Sequence, residues 1–194
     1  CLDVATDDAV SNNNNNNYRK MAMGAWTASF NPVNQWETRY HAIQYCNLFL
    51  SRCDNVLWDY SSASLNKMHL DLYKGNAYAL RGLHFFHLLR AHCGTVGGKV
   101  MGVAIHTTPE DGSSDFNQPR DNFKECIDSI MSDFDKALQY VPVEYGNVKS
   151  GGVPAKYKGI VGADGQVYDG TEEEYNRAFG DLQRGKIDGR MIAA

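Results

Sequence analysis

The stretch KGNAYALRGLHFFHLLRAHCG, residues 74–94, sets Arg81, His84, His87 and Arg90 among apolar and aromatic residues. Two histidines at i and i+3 share a helix face and could ligate a metal ion, but no carboxylate stands at the spacing of a zinc-enzyme motif. A guanidinium in such surroundings suits another task. Arg81 reads as an internal partner for carboxylates or for helix C-terminal carbonyls. The segment is expected to form the wall of a helical fold, without a metal site.

Other reactive groups point the same way. Asp133 and Asp135 flank Phe134, so on a helix they face different directions and cannot form an acid–base pair; a solvated helix face is expected to carry them. The acidic run DGTEEE at 169–174 is dense in hard oxygen donors but lacks the one-three-five spacing of a calcium loop, and is expected to be a charged surface loop. Cys46, Cys53, Cys93 and Cys126 make no CxxC or CxxH pattern. Cys46 and Cys53, on one helix face, would lie about 10 Å apart, beyond disulfide reach. All four are expected to be buried free thiols. No Ser-His-Asp or Cys-His arrangement with loop glycines emerges, so neither catalysis nor a cofactor is expected.

Aromatic residues are the better ligand candidates. A sugar ring offers an apolar face that stacks on Trp or Tyr, while its hydroxyls need Asn, Asp or Arg at the edge. Trp26, Phe30 and Asn31 lie at one helix-to-loop junction, Trp58 and Tyr60 at another; Trp36 is expected to be more buried. Core packing is the competing role for each.

The elements that position these groups follow from the hydrophobic period. The chain has 194 residues, 43% of them hydrophobic and 22% charged, with net charge -4, which allows a full core and gives no broad basic field for nucleic acid. Residues 1–17 form an acidic, polar arm ending in an asparagine run, expected to be a flexible tether. Helices are expected over 18–26, ended by the turn around Pro32; over 35–56, from the recurrence of Trp36, Tyr40, Ile43, Asn47 and Leu50; and over 64–92. In that last helix Leu65, Met68, Leu72, Ala79, Leu83 and Phe86 make one apolar stripe and Tyr73, Ala77, Leu80 and Leu88 a second, with Ser62 or Ser64 as the cap. Gly94, Gly97 and Gly98 end it, before a short extended piece.

A further helix from 123 to 141 has a seam of Phe123, Ile127, Ile130, Phe134, Leu138 and Val141, a capping box of Asn122 and Glu125, and a stop at Pro142. A Gly-rich loop over 143–170, a helical patch in TEEEYNRAFG and a helix opening near Asp188 complete the chain, which stops inside that helix. The pattern predicts an all-α fold of antiparallel helix pairs with long irregular loops. Phe134, Ala137 and Pro142 have the spacing of the second helix of a tetratricopeptide repeat, although the matching small residue of a first helix would fall on Gln118, outside any helix.

Four stretches in order, HAIQYCNLFLSRCD, KGNAYALRGLHFFHLLRAHCG, PRDNFKECIDSIMSDFDKALQYVP and FGDLQRGKIDGRMIAA, together resemble the N-terminal part of the SusD/RagB family of nutrient-binding outer-membrane lipoproteins. The segment HCGTVGGKV departs from the family pattern by lacking its proline. The resemblance implies a tetratricopeptide-like scaffold in which Asn47, Arg81, Phe134, Ala137 and Pro142 are structural. It implies that residues 18–194 are the N-terminal part of a larger helical domain. It also implies a lipid on Cys1 as outer-membrane anchor, on the cell exterior, and a SusC-like TonB-dependent transporter that the protein covers as a lid. The expected ligand is an oligosaccharide, held by residues such as Trp26, Phe30, Asn31, Trp58 and Tyr60. Rival readings are an oligopeptide ligand, a soluble tetratricopeptide-type adaptor and an all-α glycoside hydrolase.

Overall fold

The computed structural model describes residues 2–27 and 29–194. Cys1, the expected lipidation site, lies outside them. The fold is mainly helical: α1 (Asn17–Ala22), α2 (Trp36–Arg52), α3 (Ala63–His92), α4 (Phe123–Tyr140), α5 (Glu172–Phe179) and α6 (Gly189–Ala193). Two small antiparallel hairpins interrupt it, β1 (Gly94–Val96) with β2 (Lys99–Met101), and β3 (Ile160–Val161) with β4 (Val167–Tyr168). Among the described residues no helix is long and apolar enough to cross a membrane.

α3 is the spine. Its 30 residues give a rod of about 45 Å, long enough to carry two separate cores. Toward its N-terminus Leu65, Met68 and Leu72 pack with Tyr145, Val153, Tyr157, Tyr175 and Phe179. Toward its C-terminus Phe85, Leu88 and Leu89 pack with Ile43 of α2, Cys126 and Ile130 of α4, and Val103. Each of these side chains, fully buried, contributes about 1.5–3 kcal/mol of hydrophobic stabilisation.

Local chemistry sets the boundaries. Ser62 caps α3, its hydroxyl accepting from the Leu65 amide. The Asn122–Glu125 box opens α4 and a second box, Thr171 with Glu174, opens α5. The acidic run expected as a surface loop is thus a helix start, where carboxylates oppose the positive end of the helix dipole. α1 is shorter than expected, capped by Asn16 from within the asparagine run and ending before Gly24, whose φ of 78° suits glycine. Arg19 donates to the Ser11 carbonyl, so the arm before α1 carries local structure. α2 stops at Arg52 and tightens into a 3-10 turn, Cys53–Asn55, short of the expected 56.

Several expectations on burial need correction. Leu83 and Phe86 are 36% and 43% exposed, and Tyr73 and Leu80 also reach the surface, so α3 is covered on fewer sides than its composition implies. The four cysteines are free, but only Cys53 and Cys126 are buried; Cys93 is exposed. Asp133 is not on a solvated face. It is 1% exposed, while Asp135, two positions along, does face solvent. The 143–170 segment, read as a glycine-rich loop, supplies Tyr145 and Tyr157 to the core, both 1% exposed.

Besides the apolar packing of Cys126 and Ile130, two features join α3 to α4. Gly75 and Gly82, two turns apart on one face, let the helices close: a Cβ on Gly75 would stand 2.7 Å from Val141 Cγ1 and 2.8 Å from Tyr140 Cβ, and one on Gly82 would stand 2.9 Å from the Phe134 ring. Ala137 is fully buried at the same seam, and Pro142, just past the end of α4, accepts the Gly189 amide at the start of α6. The second contact is polar. Arg81 makes a two-pronged ion pair with Asp133, Nε to Oδ2 at 2.8 Å and Nη2 to Oδ1 at 2.6 Å, and its Nη1 donates to Asn47 Oδ1 at 2.7 Å and the Thr107 carbonyl at 3.0 Å.

Gly75→Ala forces Tyr140 and Val141 outward, a cost of about 1–3 kcal/mol that exceeds the gain of up to about 1 kcal/mol from replacing a helical glycine. A lower unfolding midpoint in urea is expected, with an unchanged slope. Asp133→Ala leaves the Arg81 guanidinium buried and uncompensated, at about 3–5 kcal/mol. Denaturant unfolding should show that loss, and an Arg81→Met, Asp133→Leu double variant should recover a large part of it; equal instability of both variants would contradict the pairing.

Candidate functional site

The Arg81 cluster holds more than two helices together. Asn47, 1% exposed, points its amide at the carbonyls of His106 (2.9 Å) and Thr108 (3.0 Å), while Arg81 takes the Thr107 carbonyl between them. Three successive carbonyls of an irregular segment are thereby fixed against α2 and α3. Further along, Gln44 and Glu110 exchange two hydrogen bonds, side-chain amide to backbone, at 2.6 and 3.0 Å. On the other side Asp121 receives the Ile105 amide at 2.8 Å, so residues 102–110 are tied at both ends.

This pinned segment faces the first turns of α2 and makes a cleft of about 230 Å³ lined by Trp36, Tyr40, His106, Glu110, Phe116 and Gln118. Its size suits a ring-sized group, below the roughly 300–1,000 Å³ of a drug-sized pocket. Trp36 is 36% exposed, less than Trp26 and Tyr60 though not buried, and is fixed from several sides. It meets Tyr40 edge-on at 4.9 Å and His92 at 5.3 Å, and the Arg120 guanidinium lies 5.3 Å from its ring centre. Arg120 is itself anchored, donating to the carbonyls of His92 (2.6 Å) and Gly102 (3.2 Å). The Tyr40 hydroxyl donates to the Ala104 carbonyl at 2.7 Å, and burial pushes its pKa up, keeping the proton on the donor. His106 and Glu110 stand 2.7 Å apart at the rim.

Such a cleft offers what a sugar ring needs: an oriented aromatic face with a carboxylate, a carboxamide and an imidazole at its edge. The aromatic platform was visible in the sequence only as a helix residue with the right period. Phe116, Gln118 and His106 sit in non-periodic backbone, and Arg120 lies just before α4, where no local signal assigns it a role.

The named candidates fall in two places. Trp26, 46% exposed, and Phe30 and Asn31 lie on the segment feeding into α2, outside the lining of the Trp36 cleft. There Lys20 covers the Phe30 ring at 5.6 Å, and Asn31 accepts the Val33 amide at 2.9 Å, forming a side-chain turn. Trp58 and Tyr60 follow the other end of α2. Trp58 is half-buried, lies 5.9 Å from Phe49 and 4.8 Å from Tyr73, and its Nε1 donates to the Cys53 carbonyl, so its ring is engaged in packing. Tyr60 is 89% exposed. The structure does not bring the five together.

His84, His87 and Arg39 meet on the α2–α3 surface, where Arg39 Nη1 and His84 Nδ1 lie 2.9 Å apart. Burial and that neighbouring cation hold both imidazole pKa values low, and among the described residues no cluster of three metal-ligating side chains occurs.

A family model described as "Starch-binding associating with outer membrane", of the SusD-like type, matches residues 1–151. Among solved structures, one titled a putative sugar binding protein from Bacteroides vulgatus ATCC 8482 is 27% identical, with TM-score 0.52, over 71% of this chain and 29% of its own. A SusD-like protein from Bacteroides fragilis NCTC 9343, 24% identical with TM-score 0.58, covers 77% of this chain and 27% of its own. The chain therefore spans less than a third of the length of the structures it matches. No curated protein matches it. With a mainly helical fold shared with these structures and most of its length matched by the family model, the chain belongs to the SusD-like family.

Proposed function

We propose that the chain is part of a surface lipoprotein that captures an oligosaccharide and acts as the lid of a SusC-like TonB-dependent transporter, tethered through a lipid on Cys1. The observation that carries the glycan reading is the Trp36 platform, an exposed indole locked by Tyr40, His92 and Arg120 beside polar edge groups. A family described as starch-binding, and a similar structure titled a sugar binding protein, support the same ligand class. The outer-membrane association in the family description supports the transporter partnership. Trp26, exposed on the segment before α2, is a further candidate contact in this reading. The mechanism is binding and gating, with no bond broken.

Two experiments test it. Purified from native membranes in mild detergent, the protein should bring down a large outer-membrane barrel in near-equal amount; recovery alone would contradict the lid. In calorimetry with maltooligosaccharides, Trp36→Ala should weaken binding by about tenfold, the worth of one aromatic stacking contact. Binding of oligopeptides instead, with no response to any glycan, would favour the peptide-binding alternative.

A pH dependence follows from His92, whose Nε2 accepts the Gln35 amide at 3.1 Å just before Trp36. Burial first, and Arg120 second, hold its folded pKa below the ordinary 6.5. A depressed histidine pKa means that its contribution is present above pH 6.5 and is lost as pH falls through the lowered value. Affinity should therefore weaken on acidification below that point, and His92→Gln, which keeps an acceptor but does not titrate, should flatten this part of the profile.

A further inference from the structure

A second cleft, of about 520 Å³, opens at the other end of α3, between the α2–α3 connection, the first turns of α3 and the β3–β4 hairpin. It lies about 22 residues along α3 from His92 and the Trp36 platform, or about 33 Å at the helical rise of 1.5 Å per residue. Its volume falls within the roughly 300–1,000 Å³ typical of ligand sites. From its residues we infer that it is a separate binding site for a neutral oligosaccharide, beyond the Trp36 cleft and independent of it.

Tyr60 is 89% exposed on its rim, a large aromatic ring that no core contact uses. Tyr168 comes from the hairpin, with Leu70 and Val161 adding apolar wall. The hairpin is held in shape. The Gly162 amide bonds to the Gln166 carbonyl at 2.8 Å, and Gly165 turns the chain with φ 78°. Gly162 leaves room for Asp164 and Tyr168, since a Cβ there would stand 2.6 Å from Asp164 Oδ1 and 2.8 Å from the Tyr168 ring. The Tyr168 hydroxyl donates to Asp164 Oδ2 at 2.7 Å, which fixes the ring's tilt. On the α3 side, Asn66 Oδ1 accepts the Trp58 and Asp59 amides at 2.7 and 3.1 Å, orienting its amide group at the cleft.

The charges select the ligand class. Asp59 and Asp164 line the cleft with a single cation, Lys67; Lys67 is paired with Asp71 at 3.2 Å and Asp59 with Arg177 at 3.8 Å, which leaves the Asp164 carboxylate as the lining charge outside an ion pair among the described residues. The balance is negative, which disfavours phosphates, uronic acids and sulfated sugars. Carboxylates, a carboxamide and a tyrosine ring together match a ligand rich in hydroxyls with apolar ring faces. An uncharged glycan has both.

Backbone amide NMR and calorimetry on the full chain, with maltoheptaose, cellohexaose and mannohexaose as probes, test this. In Trp36→Ala, which removes the first platform, at least one probe should shift the amides of Gly162 and Gly165, and Tyr60→Ala in that background should lower the remaining affinity by about tenfold. Tyr60 is solvent-exposed, so its substitution leaves the fold intact, and Asp164→Asn should weaken the same binding while keeping the hairpin. Silence of the hairpin amides with all three glycans would overturn the second site, as would an affinity unmoved by Tyr60→Ala. Hairpin shifts that the wild-type chain and Trp36→Ala show alike, with no shift at the α2 N-terminal amides of the wild type, would instead count against the first site and leave this one standing.

Discussion

Arg81 is a charged side chain only 4% exposed, in the middle of the longest helix, and the rest of the architecture is arranged around its compensation. Burying a guanidinium costs several kcal/mol, recovered only when every direction of its planar fork finds a partner. Here the fork meets Asp133 from α4 in two-pronged geometry, Asn47 from α2, and a backbone carbonyl from an irregular segment. Three helices and one loop thus converge on one residue. A hydrophobic replacement could fill the same space, but it would leave the Asn47 amide group and the Thr107 carbonyl with fewer partners. The pair's main product is therefore position, and the position it sets is that of residues 106–108.

From that constraint the Trp36 cleft follows. The carbonyls held by Asn47 and Arg81 place His106 beside Tyr40, and Glu110 beside Gln44, so one wall of the cleft is a loop hydrogen-bonded to a helix pair. The other wall is the N-terminal turn of α2, fixed through His92 at the far end of α3. Ligand sites built on loops are precise only when the loops are tied to rigid elements. This one is tied through a buried ionic centre, in which Asp133 reaches the loop only by way of Arg81.

How much of this was legible in the sequence depended on the kind of signal. α4 could be read almost to the residue, because its seam, capping box and terminal proline are local, and the structure places it at Phe123–Tyr140. The internal role of Arg81 could be anticipated from a guanidinium set in an apolar helix. Asp133 could not: periodicity assigns a carboxylate to water by default, and only the partner on another helix reverses that assignment. Likewise Tyr145 and Tyr157 are core residues in non-periodic backbone, where nothing local separates an inward from an outward side chain. Trp36 shows the opposite case: its helical period points inward, yet at 36% it is less exposed than Trp26 and Tyr60 without being buried, since the first turn of a helix sits at the surface even when its later turns are buried.

The glycines show the same division between local and distant causes. Gly24 and Gly165 adopt positive φ and announce turns wherever they occur. Gly75 and Gly82 sit inside a helix, where local propensity counts against them, and they make sense only through Tyr140, Val141 and Phe134 on α4. Their effect is to bring α4 close enough for Asp133 to reach Arg81 at hydrogen-bonding distance. The ionic centre and the glycine seam are thus one design seen from two sides: close helix packing supplies the counter-ion, and the counter-ion makes it possible for the longest helix to carry a charge through the core and organise a binding loop with it.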